Sequence, residues 1–441
     1  MGFLDRILGE TQERGPNLCF GRATDLPKDK VQLDLWDKAN ESFNHEDYFQ
    51  SIEQFFNYLN NPELKNLSYQ KVLGGFEFSV VQGSKIIEGK VDKSWLRAEA
   101  KIAKCKSLSI GFLRKLVEAN FELQYGRYSL DSQQNLCIIF ESFLEEASPY
   151  KLFFGLKEIA VKADKQDDLL LDEFSELEAI NSTHVIPQST EVKEVKYKFF
   201  KEALRRALAM EDMGSLNLDR YPGALTYIYL HTLYKIDYLL CPEGKSMEII
   251  EEAHEVYFDQ GNFDAHEKVE TLSKSLKELN EIEKEKFGIE LYNVNHTFGI
   301  NNTVPHSTIA QFIDTEMQAL EWYLANKHER ICQNICSYIV GYCLFSFALA
   351  EPVSKLFHLF YEIEEPDFFK NLGYSRHFAP KEIEVKKFET RIKSSVKEIL
   401  QMAAPKYPEI NTEVKLNFDS RVELSISLLQ CIRPRNSILR M

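Results

Sequence analysis

His328, Cys332 and Cys336 stand four residues apart, with Cys343 seven further on, so on a helix the four side chains fall close to one stripe. Imidazole and thiolate are ligands that zinc favours. On one straight helix the first three span about 12 Å, too far to share an ion unless another segment supplies ligands. They are the chain's metal candidates, weighed against the simpler reading of cysteines as small hydrophobes in a buried helix. Cys241 and His231 offer a nucleophile and a base, but ten residues of helix set them about 15 Å apart. Gly74 and Gly75 precede a strand instead of opening a helix, which is turn chemistry and not a phosphate cradle. No catalytic residue and no cofactor is assigned on these grounds, and a non-enzyme is the preferred reading.

From 164 to 178 there are seven carboxylates, Asp164, Asp167, Asp168, Asp172, Glu173, Glu176 and Glu178, and one basic residue, Lys165. Such density can attract a basic partner or a cation, and these seven are the partner-binding candidates. A solvated helix face is the simplest alternative, because no loop glycine or oxygen-ligand register of a calcium loop accompanies them. Arg433, Arg435 and Arg440 make a small basic tail able to fold back onto that surface.

The elements that position these groups change character along the chain. A helical leader, 1–44, holds the first of two helices that run from Val31 to Leu59 around a break at Asn44-His45-Glu46, with Leu35, Ala39 and Phe43 on the first and Tyr48, Ile52, Phe55 and Phe56 on the second. Residues 31–62 resemble a single tetratricopeptide unit through Ala39, Ser51, Phe55 and Pro62, but no second copy follows. The period then drops to two. Phe76, Phe78 and Val80 alternate with polar residues, a Gln82-Gly83-Ser84 turn leads to a return strand over 85–91, and Leu96, Ala98, Ala100 and Ile102 mark a third strand. Helical spacing returns at Ile110, Leu113, Leu116 and Val117. Two further alternating runs, Phe121-Leu123-Tyr125 and Leu136-Ile138-Phe140, precede a helix opened by Ser148 and Pro149.

The order α, βββ, α, ββ, α over 45–177 resembles the type III secretion chaperone-like fold, and in particular the YbjN-like proteins that share it. The run Asn135 to Leu144 and the entry Ala147-Ser148-Pro149-Tyr150 carry the likeness to the family's last strand and final helix. The resemblance covers about a third of the chain and implies a small acidic dimerising module that holds an extended segment of another protein. It implies no catalytic residue. The expected fold class is α+β: an antiparallel-sheet module at 45–177, a linker at 178–190, and a mostly α-helical domain at 191–441, with the Asn-rich stretch 293–304 as a candidate division between two lobes or a functional loop. Helices are expected at about 192–213, 223–240, 245–258, 264–288, 308–327, 329–349, 352–372 and 380–403; 414–429 is ambiguous between strand and helix.

Of 441 residues, 44% are hydrophobic and 27% charged, an ordinary globular balance. The net charge of −15 argues against nucleic acid as a partner. Eight cysteines, none in a Cys-x-x-Cys pair, fit reduced thiols in a cytoplasm. Met1 to Glu10 lack the apolar core of a secretory signal, since Asp5 and Arg6 interrupt it. The stretch 331–350 is free of charge and long enough to cross a bilayer, but Gln333, Asn334, Ser337 and Ser346 favour a buried helix, so a membrane contact is not expected. The functional expectation is a non-enzymatic protein-binding chain, chaperone-like, adaptor or regulatory, whose partner is another protein, a second copy as a homodimer, or its own helical domain. The alternative is an enzyme or a ligand or metal sensor with its site in the C-terminal helical domain.

Overall fold

Asp29 opens the first described helix with a capping box: its carboxylate accepts from the Gln32 N–H while the Gln32 side chain accepts from the Asp29 N–H. The computed structural model describes residues 18–25, 28–180, 182–210, 216, 221–259, 261, 263–374, 385–403 and 415–432. The segment 1–10, Val414 and the basic residues Arg433, Arg435 and Arg440 lie outside them.

Helices α1 (Lys30–Asn44) and α2 (Tyr48–Leu59) form an antiparallel pair that buries Ala39, Ile52, Phe55, Phe56 and Leu59. Six strands follow: β1 (Leu67–Val72), β2 (Gly75–Gln82), β3 (Lys85–Val91), β4 (Trp95–Cys105), then α3 (Ile110–Asn120), β5 (Gly126–Leu130) and β6 (Asn135–Phe143). They pair antiparallel in the order β1-β2-β3-β4-β6-β5. Alternate residues of β2 and β4, among them Phe76, Phe78, Val80, Leu96, Ala98 and Ala100, face the core as period two requires. Helix α4 (Pro149–Glu173) starts where Ser148 and Pro149 predict, with the Ser148 Oγ accepting from the Lys151 N–H at 3.3 Å, and packs across β3, β4 and β6.

The sheet departs from the expected order in three places. β1 is an additional strand, polar and mostly exposed beyond Leu67, and as an edge it needs no alternation. Phe121, Leu123 and Tyr125 do not form a strand; Phe121 caps α3, and pairing begins at Gly126. Across the expected boundary at 177/178, β7 (Leu177–Ala179) adds to the end of β4, past the register shift between Lys101 and Ala103, and within the expected linker β8 (Ile186–Pro187) pairs with residues 292–293.

The remainder is mostly helical: α5 (Thr190–Leu208), α6 (Pro222–Leu240), α7 (Gly244–Phe258), α8 (Ala265–Glu281), α9 (Lys284–Ile289), β9 (Tyr292–Asn293), β10 (Asn302–Thr303), α10 (His306–Ala325), α11 (Glu329–Ser346), β11 (Phe347–Ala348), α12 (Glu351–Glu364), α13 (Pro366–Asn371), α14 (Glu389–Ala403) and α15 (Arg421–Gln430). α6 is buried nearly all round at the centre, against α5, α8 and α11. The expected helix 264–288 breaks at Ile282 and Glu283, which are extended, and the chain then seats Phe287 in a stack on Phe200 with ring centroids 4.2 Å apart. The expected helix 352–372 breaks because Pro366 pushes Glu365 out of helical geometry. Residues 415–418 are irregular, not a strand, and the ambiguous segment after them is helix α15. Among the described residues no helix is long and apolar enough to cross a membrane.

Candidate functional site

The tip of the β2–β3 hairpin meets three distant segments. Gly83, with φ +52°, lets the turn close where an added Cβ would lie 1.9 Å from both carboxylate oxygens of Asp164. The Ser84 N–H donates to Asp164 Oδ1 at 2.7 Å, and the Ser84 hydroxyl donates to Asp167 Oδ2, also at 2.7 Å. Lys85 Nζ pairs with the same oxygen of Asp167 at 2.6 Å. From the helical side, the Tyr292 hydroxyl donates to Asp168 Oδ2 at 2.9 Å, and the Gly83 N–H donates to the Asn295 carbonyl at 2.9 Å. Gln82 Oε1 accepts from the N–H groups of Thr297 and Phe298, and Phe298 is buried in the sheet-side core, 5.5 Å from the Phe153 ring. The Asn-rich stretch is thus the segment that docks the helical region onto the hairpin.

Helix geometry explains the junction. Asp164, Asp167 and Asp168 occupy one face of α4, three and four residues apart, and that face is turned toward the hairpin and the 290–296 segment. Burial, reinforced by the neighbouring Asp167 and Asp168 charges, pushes Asp164 up to about 7. Burial and the Asp167 charge push Asp168 up to about 6. Glu290 rises to about 7 through burial, and Glu243, facing Asp164 and Asp168, is raised by burial and by those two charges. Burial lowers His296 to about 4, and its Nε2 stands 3.6 Å from Asp164 Oδ2, so near neutral pH the two are not an ion pair.

A second tie lies alongside. Arg22 donates to both Asp237 oxygens and to Glu251 Oε1 at 2.8 Å, its guanidinium lies 3.7 Å over the Phe345 ring, and Lys165 of α4 reaches Glu251 Oε2 at 2.5 Å.

Of the seven acidic candidates, Asp164, Asp167 and Asp168 therefore line an internal contact and not a solvated face. Asp172, Glu173 and Glu178 stay on the surface, paired with Lys286, Lys115 and Lys106 of the same chain. Glu176 is partly exposed, and its carbonyl accepts from the Lys106 N–H. The acidic run over 164–178 is visible in the sequence, but the partners Tyr292 and His296 lie more than a hundred residues away.

The metal candidates separate. His328 is the N-cap of α11, stacked on Trp322 at 5.9 Å, whereas Cys332 and Cys336 are buried within the helix. Burial pushes the Cys332 thiol up to about 11 and the Cys336 thiol well above its ordinary value. Among the described residues the one set of three ligand-bearing side chains whose atoms lie within 4.8 Å of one another is Glu99, Asp131 and Cys137. Its groups already have partners. Asp131 accepts from the Gln133 and Asn135 N–H groups and from the Asn135 amide, Glu99 pairs with Arg97 at 2.8 Å, and the Cys137 thiol donates to Glu99 at 3.5 Å. Cys241 caps α6 in the left-handed region, and burial raises its thiol to about 12, which keeps it protonated.

Two surfaces escaped the sequence reading. On α3, Ile110, Leu113, Val117 and Phe121 form one outward stripe, exposed by 75%, 40%, 59% and 89%, while Phe112 and Leu116 face the core. In the helical region, a cavity of about 1100 Å³ opens among α5, α6, α11, α12, α13 and α15, with Lys235, His231 and Asn334 in its lining. Helical spacing was visible at Ile110, Leu113, Leu116 and Val117, but which side would face solvent depends on the sheet. No family model matches the chain, and no curated protein matches it.

Proposed function

We propose that the chain is a non-enzymatic protein-binding protein of the cytoplasm, chaperone-like or regulatory, whose partner surface is the outer face of α3 beside the edge strand β5. The observation that carries this reading is the α3 stripe. Four large apolar side chains on one helical face are more than the scattered exposed apolar residues of an ordinary surface. β5 packs against α3 and, among the described residues, pairs with one strand, β6; on its other side the Gly126 and Tyr128 N–H groups donate to the Glu158 and Asn120 side chains, so the α3 stripe itself, and not the strand edge, is the open surface. The occupant is an apolar segment of another protein, laid along the α3 stripe. The likeness of the expected α, βββ, α, ββ, α order to type III secretion chaperone-like and YbjN-like modules supports the same reading. The docking of 293–302 onto the hairpin supports its regulatory form, in which the helical region covers one end of the module and leaves α3 open.

The test compares the full chain with a Val117→Glu/Phe121→Glu variant in a low-salt pull-down from the native cell, with light scattering on both. Proteins retained by the wild type and lost by a variant of unchanged melting temperature support the reading. Equal retention by both removes α3 from the function. A wild-type dimer that the variant splits reassigns the stripe to a second copy of the chain.

A further inference from the structure

We infer that Cys19 and Cys241 are a redox modification site, a thiol pair that a hydroperoxide converts into a disulfide clamping the segment 18–25 onto the end of α6. The site shares no residue with the α3 surface and stands independently of the protein-binding function.

The segment 18–25 crosses the C-terminal end of α6 and continues to the sheet side. The Gly21 N–H donates to the Tyr238 carbonyl at 2.8 Å, Phe20 packs on Tyr238, His358, Phe369 and Tyr374, and Arg22 is held by Asp237 and Glu251. Further along, the Ala23 carbonyl accepts from the Ile300 N–H at 2.9 Å, and Asp25 accepts from the Gly299 N–H at 2.7 Å and pairs with Lys157 of α4 at 3.3 Å. A clamp on this segment therefore acts on both parts of the chain. At the end of α6 the backbone turns at Cys241, with φ +46°, and the thiol lies against the segment. Its Sγ is 3.6 Å from the Cys19 carbonyl oxygen, 3.5 Å from that of Gly21 and 3.4 Å from that of Tyr238. A sulfur so close to the backbone of Cys19 is within reach of that residue's own side chain, and a turn about the Cα–Cβ bond of the exposed Cys19 is what a disulfide still requires.

The two thiols differ in the way a sensing pair must. Cys19 meets solvent, whereas the six cysteines outside the pair are all buried, so an oxidant reaches Cys19 first. Cys241 is part-buried, and burial pushes its thiol up to about 12, which leaves it inert alone and suits it to be the resolving partner. Lys196 of α5 is completely buried, donates to the Leu240 carbonyl at 2.7 Å and has no carboxylate partner among the described residues. The ionisable groups that act on its ammonium are the Cys241 and Cys19 thiols, and a positive charge beside them favours the thiolate character on which the chemistry depends.

The hydroperoxide ROOH gives one oxygen to the Cys19 sulfur, forming the sulfenic acid, and leaves as ROH. The Cys241 sulfur then attacks the Cys19 sulfur, and the hydroxyl departs with the Cys241 proton as water. Together the thiols lose two electrons, which the oxygen–oxygen bond takes up as it breaks. The bond joins residues 222 apart in sequence and so restricts a long loop of the unfolded chain.

Hydrogen peroxide on the full chain, followed by blocking of free thiols and peptide mapping without reductant, tests this. One intrachain cross-link between the peptides that hold Cys19 and Cys241 is expected, with a melting temperature raised by about 3 °C or more and both effects reversed by dithiothreitol. Cys19→Ser, at an exposed position, is expected to melt like the reduced wild type and to lose both the cross-link and the rise. Absence of the cross-link, whether Cys19 stays free, goes on to the sulfinic acid or joins a second chain, overturns the proposal. So does a cross-link that leaves the melting temperature unchanged, or an equal rise in peroxide-treated Cys19→Ser.

Discussion

The Ser84 N–H donates to Asp164 Oδ1 at 2.7 Å across eighty residues of sequence, joining the tip of a hairpin to the middle of a helix. Around that bond the chain packs acidic side chains at the boundary between its sheet and its helices. Their protonation, and the fit of the turn against them, give the junction measurable properties.

Asp164 and Glu290 titrate at about 7 in the folded chain, against roughly 4 for free carboxylates. Between those values the unfolded chain has released protons that the folded chain keeps, so stability falls as pH rises. Below about 6.5 the buried His254, His296 and His358, all lowered to about 4, act in the opposite direction. The clean window is above that. The melting temperature is expected to drop from about pH 6.5 to about pH 8, and Asp164→Asn to flatten the slope, in thermal melts at constant ionic strength.

Gly83→Ala forces a Cβ into the left-handed region and into the Asp164 carboxylate. A loss of about 2 kcal/mol or more is expected in denaturant unfolding. Gly74→Ala, also at positive φ but 3.7 Å from its nearest neighbour, is expected to cost less. Equal losses would mean that backbone strain alone, and not the fit against Asp164, sets the cost.

Phe298→Ala removes a fully buried ring from the sheet-side core and is expected to destabilise by about 3–5 kcal/mol. It also loosens the docking of 293–302. Linker composition favours proteolysis at 180–190, yet Ser182 and His184 are hydrogen-bonded to the hairpin tip and β8 is paired. The wild type should therefore be cut slowly there and the variant faster, as followed by mass spectrometry of the fragments.

Lys235→Met leaves Glu364 and Glu365 buried without their ammonium partner. Equilibrium unfolding should show a loss of about 3–5 kcal/mol, recovered in part by adding Glu365→Gln. Full additivity of the two substitutions would show that the pair does not interact.

Zinc addition and chelation are both expected to leave the melting temperature unchanged, because His328 sits outside the helix that holds Cys332 and Cys336. A zinc-dependent rise that is lost in a Cys332→Ala/Cys336→Ala variant and kept in Cys137→Ala would bring the three residues back as ligands.

Local chemistry was legible in the residues themselves. Ser148 and Pro149 name a helix start because a cap and a first-turn proline act within four residues, and the alternation at Phe76, Phe78 and Val80 names a half-buried strand. β1 was not legible, since an edge strand can carry Ser68, Gln70 and Lys71 without penalty. Phe121 and Tyr125 misled because exposed aromatics flanking a turn mimic period two. The burial of Asp164 and Asp168 could not be read at all: an acidic run looks solvated until the segment that covers it, here around Tyr292 and His296, is placed. Phe298 is one ring in an Asn-rich stretch, and nothing local marks it as core.

Gln82 and Phe298, which meet at the junction, are separated by 216 residues. The sheet is complete once β7 has been made at Ala179, so at about 5–20 residues per second synthesis leaves it without that ring for roughly 6–24 seconds. During that interval the hairpin tip, the carboxylates of α4 and the pocket for Phe298 face the ribosome's surroundings, so the nascent chain exposes a surface that the completed protein never shows.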